Sequence, residues 1–268
     1  MPTMVSRKPS SETWRILEIS YASPFQNLAL EEALAQSTPS EGSIPTVRIW
    51  VNPPTAVLGR FQHVDSEVDI EFCERNDIRI ARRFTGGGAV YHDEGNLNLT
   101  VVTQRPEGIN LLEFHRKNAS VVQDFLASYG LDSEFVSPNS IKIAGKKISG
   151  AAAGFCRHLA LWHASTLVST DITTLRQVLS PSQRTFETSF TRSRWKPVTT
   201  LATTLGRHVD LSEAKETLLR SFRKLNNANL QPSRLSDAEE QRMRLLLAKY
   251  SSREWNRLGV GVKARRKR

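Results

Sequence analysis

Arg82-Arg83-Phe84-Thr85-Gly86-Gly87-Gly88-Ala89-Val90-Tyr91-His92-Asp93 is the stretch on which the reading of this chain turns. Three consecutive glycines let a backbone approach a ligand closely and aim N–H groups at negative charge. A phosphate-binding loop would follow its glycines with Lys-Ser/Thr at a helix start, and a dinucleotide fingerprint would space them before a helix. Neither pattern is present. Ile78–Arg83 reads as a strand on one side and Ala89–His92 as extended on the other. A tight hairpin turn and a ligand-binding loop both suit glycines between strands. The two arginines before and His92-Asp93 after favour the ligand loop, because a guanidinium is a bidentate partner for carboxylate or phosphate.

Outward from the loop, strands cluster in the first two thirds of the chain. Trp14–Ser20, Thr46–Val51 and Thr55–Leu58 precede it, the last two parted by the turn cluster Asn52-Pro53-Pro54. Asn98–Val102, Ile141–Ala144, Lys147–Ser149 and Leu159–Val168 follow it. Helices are predicted over Phe25–Gln36, Asp69–Asn76, Leu111–Tyr129 and Ile172–Leu179, the last capped by Asp171. Two more run over Leu211–Leu225 and Ser236–Tyr250, with Ser212 or Asp210 and Ser236 or Asp237 as cap candidates. Helices punctuate the strands without alternating strictly, which predicts an α+β domain with a mixed, largely antiparallel sheet.

A second constellation is Gly145-Lys146-Lys147-Ile148-Ser149-Gly150-Ala151-Ala152. With Ile148 pointing into the core, strand alternation puts Lys147 and Ser149 on the other face. A lysine there, facing a cleft of small residues, neutralises two anions that must meet, such as a carboxylate and an α-phosphate. Lys146 reads as a solvent-facing lysine. His163, in Trp162-His163-Ala164, reads from the residues alone as a satisfied structural histidine. His158 lies five residues away, on the opposite face of a regular strand, so the two make a poor metal pair.

The 268 residues suffice for one large domain with a sizeable core. Of the net +10, six charges lie in residues 257–268; without them 31 basic residues face 27 acidic ones, a net +4. The body carries no basic face interleaved with aromatics, so a specific nucleic-acid partner is not expected. No apolar run approaches the ~18 residues that span a bilayer, and residues 1–13 carry no apolar stretch of a secretory signal. Two cysteines, Cys73 and Cys156, form neither a disulfide framework nor a metal pair and suit a reducing cytoplasm. Cys73 reads as a buried structural thiol, and no local His/Asp arrangement activates Cys156.

These residues resemble the lipoate–protein ligase A family. The Arg-Arg-x-Ser/Thr-Gly-Gly-Gly-Ala-Val-x-His-Asp signature stands at Arg82–Asp93, followed by Gly95-Asn96-Leu97-Asn98. A Lys-x-Ser-Gly-x-Ala element stands at Lys147–Ala152, a His-x-x-x-Leu strand at His163–Leu167, and Lys-Tyr-Ser-Ser-x-Glu-Trp-Asn at Lys249–Asn256. The resemblance implies a single catalytic domain, residues 14–256, of the fold shared with biotin ligases, between a flexible residues 1–13 and a basic tail 257–268.

It implies lipoate or octanoate as the acid, ATP with Mg2+ giving an acyl-adenylate, and transfer to a lysine of a lipoyl carrier protein. Lys147 is implied as the catalytic lysine, contacting the acyl carbonyl and the α-phosphate. Arg83, Gly86, Gly87, Gly88, Ala89, Val90, Tyr91, His92, Asn96, Asn139 and His163 are implied around the nucleotide and acyl group. Two departures stand out. Asn139-Ser140 replaces the family's usual Asn-Asp, and only 12 residues follow Asn256, where many members carry an accessory domain. The second predicts the bipartite type, a catalytic chain working with a separate small subunit. The nearest alternative is a same-fold octanoyl or lipoyl transferase acting through a cysteine thioester; no cysteine stands near Pro138–Ser140 to serve it. A biotin ligase would carry a Gly-Arg-Gly-Arg loop, which is missing.

Overall fold

The computed structural model describes residues 11–37, 44–156, 158–180, 191–194 and 196–258. The expected flexible start and basic tail lie almost wholly outside them. Alternation of side chains along the strands builds one large sheet that is apolar on both faces. Its strands are β1 (Glu12–Leu17), β2 (Thr46–Trp50), β6 (Asn96–Gln104), β7 (Glu134–Val136), β8 (Ser140–Ile143), β9 (Lys146–Cys156), β10 (Leu159–Leu167) and β11 (Ala228–Pro232). They lie in the order β11-β1-β2-β6-β10-β9-β8-β7. The β11–β1–β2 edge is parallel and every other pairing is antiparallel, as the strand clustering predicts.

Leu97, Leu99 and Val101 of β6, with Ala160, Trp162 and Ala164 of β10, face helices α3 (Leu111–Ala127) and α6 (Leu211–Asn226). Their alternate neighbours Val102, Leu159 and Leu161 face α1 (Pro24–Gln36) and α7 (Asp237–Ser251). Beside this sandwich sits a three-stranded sheet of β3 (Thr55–Leu58), β4 (Arg79–Arg82) and β5 (Val90–His92), in the order β4-β3-β5. Helices α2 (Ile70–Arg75) and α4 (Ile172–Val178) cover it.

The expected caps hold: Asp171, Asp210 and Ser236 each accept N–H groups of the first turn. Other expectations need correction. The first strand ends at Leu17, not Ser20, and the lysine strand runs on through the alanines to Cys156. β7, β11 and the short helix α5 (Leu201–Leu205) were not foreseen. The hairpin alternative for the glycine loop fails on topology. β4 and β5 are not neighbours; β3 lies between them, so the loop must cross over the end of β3.

Candidate active site

Where the loop crosses β3, Gly59 meets it at a distance no side chain permits: a Cβ there would lie 2.0 Å from the Gly87 carbonyl oxygen. Gly87 itself has φ +93°, open to glycine and strained for other residues. The two arginines then act in opposite directions. The Arg82 guanidinium donates to the carbonyls of Gly59, Gln62, Trp255 and Asn256, anchoring the loop to the end of the Lys249–Asn256 motif. Arg83 donates to the carbonyls of Val57, Gly86 and Gly88. The fork expected to meet an anion is therefore turned onto β3 and the loop, and Arg83 Nε has no partner among the described residues. Burial lowers both guanidinium pKa values to about 10, with Arg82 adding to the effect on Arg83.

Behind the loop runs a buried polar network. Thr85 Oγ1 lies 2.9 Å from His163 Nε2, and His163 Nδ1 lies 3.0 Å from Glu31. Arg48 and Thr100 also donate to Glu31. Burial pushes the Glu31 carboxyl up, but His163, Arg48 and Thr100 outweigh it and hold the group below its usual value. A carboxylate can only accept, so the ring proton sits on Nδ1, and in the neutral ring Nε2 accepts from Thr85. His163 is thus both the satisfied histidine of the residue-level reading and a neighbour of the site. Glu31 was missed. Its signal was a pair of acids, Glu31-Glu32, inside an otherwise apolar and wholly buried helix segment.

In front of the loop lies a cavity of about 680 Å³. Gly88, Ala89, Val90, Tyr91 and His92 line it, as do Arg83, Asn139, Lys147 and His163. Gly86 and Gly87 belong to the loop but not to the lining. Asn96 corrects another expectation: it is fully buried, and its amide is bound to Ser165 and Thr166. Asn98, two residues on, lines the cavity instead. Asn139 donates to the Ala151 carbonyl and fixes β9. Ser140, in the place of the family's acidic residue, accepts from Lys196.

Lys146 is exposed, as expected, and Lys147 turns into the cavity. No carboxylate among the described residues pairs with Lys147. Burial, then Lys196 and Arg83, lower its pKa to about 8. Three buried N–H groups of cavity-lining residues also lack an acceptor: Arg83 Nε, His92 Nε2 and Asn98 Nδ2. His92 is neutral, its pKa depressed to about 3 by burial and by Arg83 and His163. Asn52 approaches His92 Nδ1 at 3.4 Å, which leaves the proton on Nε2. Leu28, Trp50 and Val57 add apolar side chains to the lining, Trp50 edge-on to His92 with ring centroids 6.0 Å apart. Ser193, also unforeseen, accepts the Ala89 N–H and is held by Glu67 and Gln62. Neither cysteine lines the cavity, and burial raises the Cys73 thiol to about 12.

Among the described residues, a cation without a counter-ion, donors without acceptors and apolar side chains beside them describe a receptor for an amphipathic anion. The family model for the lipoyl protein ligase A/B catalytic domain matches residues 23–223. The chain belongs to this family. Lipoate-protein ligase A subunit 1 of Thermoplasma acidophilum is 33% identical over 241 residues, 86% of this chain and 90% of that one. An octanoyltransferase LipM of Geobacillus kaustophilus is 30% identical over 276 residues, covering 92% and 99%. A crystal structure of a lipoate-protein ligase A bound with ATP superposes with a TM-score of 0.78 at 31% identity, over 92% of this chain and 98% of that one. The family's catalytic domain thus includes both ligases and transferases among its named relatives, and the cavity described above lies within the matched span.

Proposed function

We propose that this catalytic domain, residues 14–256, is an ATP-dependent, AMP-forming ligase that attaches lipoate or octanoate to a lysine of a lipoyl carrier protein. The observation that carries the reading is Lys147, a cation with no carboxylate partner among the described residues, in a cavity that neither cysteine lines. Adenylation brings two anions together. A carboxylate oxygen attacks the α-phosphorus of ATP, the bond to the β-phosphate oxygen breaks, and pyrophosphate leaves with the electron pair. A fixed ammonium beside both anions lowers that barrier. In the second half-reaction the carrier lysine's neutral amine attacks the acyl carbon, AMP leaves, and the nitrogen loses a proton.

The residues suit these partners. Arg83 Nε, His92 Nε2 and Asn98 Nδ2, without acceptors among the described residues, offer donors to the adenylate, and Leu28, Trp50 and Val57 take the acyl chain. The ATP-bound structure of a relative supports nucleotide binding in the same fold. Magnesium, which prefers phosphate oxygens and water to a protein cage, would enter with the nucleotide. The resemblance to a protein named as subunit 1 supports a second, smaller subunit as partner. No helix among the described residues is long and apolar enough to cross a membrane. With two unpaired thiols, a cytoplasmic place of work fits.

The octanoyltransferase relatives support a second reading, acyl transfer from one carrier to another through a cysteine. The placement of Cys73 and Cys156 argues against it. The test is mass spectrometry of a carrier domain incubated with the chain, ATP and each acid, with AMP measured in parallel. One AMP per acylated carrier, unchanged when both cysteines are replaced by serine, is expected. Acylation from an octanoyl carrier without ATP, with octanoate trapped on Cys156, would overturn the ligase reading.

A further inference from the structure

Glycine inside a strand weakens it and often marks a place where another group comes close. Gly150 lies in the interior of β9, between Ser140 of β8 and Ser165 of β10 in the ladder. It has no positive φ, so its backbone does not need glycine. What a Cβ would meet there is Lys147 alone: Nζ at 2.5 Å and Cε at 2.7 Å. Gly59 and Gly95 are different, because a Cβ at either would strike backbone. Those two glycines serve the fold. Gly150 makes room for one side chain.

The register explains how Lys147 reaches that place. Ile141 pairs with Ser149 and Lys142 with Lys147, so Ile148 is the extra residue of a bulge. A bulge breaks the strict alternation of a strand and re-aims the side chains beside it. This corrects the expectation that Lys147 shares a face with Ser149. Ser149 is buried and accepts from Thr166, whereas the Lys147 ammonium lies over Gly150. Beyond the bulge the lysine backbone is held by Pro197 and Thr199. Main chain and side chain are therefore fixed from different sides.

We infer that Gly150 is a positioning residue: the space left by its absent side chain is the slot that holds the Lys147 ammonium in the cavity. The inference rests on the reading of Lys147 as the adenylation lysine. A methyl group in the slot displaces the flexible end of a lysine, not a backbone, so Gly150→Ala folds while its lysine swings away. Displacement on the order of 1 Å at a reacting group costs roughly 10²-fold in rate. The same displacement frees the ammonium from the desolvated place where burial depresses its proton affinity.

The test uses the full chain and two independent readouts. Competitive acylation of surface and cavity amines, followed across pH by mass spectrometry of the Lys147 peptide, reports the lysine without enzyme turnover. Pyrophosphate release with lipoate and ATP reports the chemistry. For Gly150→Ala, the expected results are an unchanged melting temperature and a labelling midpoint moved up toward an ordinary lysine. The kcat of pyrophosphate release should fall between tenfold and a hundredfold, with KM for the acid little altered. Adding Gly150→Ala to Lys147→Ala should change the rate no further, because the glycine acts only through the lysine. An unmoved labelling midpoint, or a further loss in the Lys147→Ala background, would overturn the positioning role. A moved midpoint with full activity in both single variants would leave the slot standing and refute the adenylation reading instead.

Discussion

Lys147 couples two properties that are usually separate, reactivity and stability. Its pKa is about 8 in the folded chain, against 10.5 for a free lysine, because burial and like charges oppose its protonation. Between these values the unfolded chain binds the proton and the folded chain does not, so stability rises with pH across that window. Below about pH 8 the charge is carried at a cost. Lys147→Met is therefore expected to raise the melting temperature at pH 7 by roughly 3–8 °C, an advantage that fades between pH 8 and 10.5. Lys147→Ala is expected to slow acyl-adenylate formation by roughly 10²–10³-fold, about 3–4 kcal/mol, while Lys146→Ala stays near wild type. Calorimetry and pyrophosphate release check the two halves; equal defects in both alanine variants would remove the distinction between the lysines. At this scale the sequence was informative wherever chemistry and neighbours coincide, as in Lys147-Ile148-Ser149-Gly150. It was silent on the bulge at Ile148, which depends on the register of β8, a different segment of chain.

Among the elements, the glycine loop and the network behind it carry separate demands. At Gly86 a Cβ would make only ordinary contact with Phe61, whereas at Gly87 it would come within 2.9 Å of Arg83 on a left-handed backbone. Gly86→Ala should bind a non-hydrolysable acyl-adenylate analogue normally, and Gly87→Val should lose it with a smaller effect on melting. Comparable affinities in the two variants would return the loop to a plain connector. Glu31 links α1 to β2 through Arg48, to β6 through Thr100 and to β10 through His163. Glu31→Gln leaves Arg48 buried without its carboxylate, a loss expected at about 3–5 kcal/mol by denaturant titration at pH 7. Because the Glu31 carboxyl is held below its unfolded value, its stabilisation is complete above about pH 4.5 and fades as the pH falls further. The gap between wild type and variant should close in acid. A gap independent of pH would deny the ion pair its role. Little of this network was legible in one dimension: the acid pair Glu31-Glu32 and His163 stand out, but Arg48 and Thr100 look ordinary until three strands and a helix bring the four together. Strand β11 escaped for another reason, since Gln231 and Pro232 suit only an edge strand paired on one side.

For the molecule as a whole, the proposed partner makes a kinetic prediction. Purified chain, carrier domain, ATP and lipoate should give slow carrier acylation that a small accessory protein accelerates at least tenfold, an expectation drawn from conformational steps that complete an active site. Full turnover by the chain alone, indifferent to any addition, would sink the two-component proposal.

The anchoring of Arg82 has a consequence for how the protein comes into being. Its guanidinium and its own N–H are received by Trp255 and Asn256, more than 170 residues later in the chain. The β1–β11 pairing likewise joins Glu12 to Ala228. At ordinary synthesis rates of about 5–20 residues per second, the arginine is added to the chain roughly 9–35 s before the carbonyls of Trp255 and Asn256 exist. Throughout that interval Arg82 has the carbonyls of Gly59 and Gln62 and lacks those of Trp255 and Asn256. A chain truncated after Glu254 should therefore hold every residue that lines the cavity and bind no acyl-adenylate analogue, and restoring the residues from Trp255 onward should switch binding on.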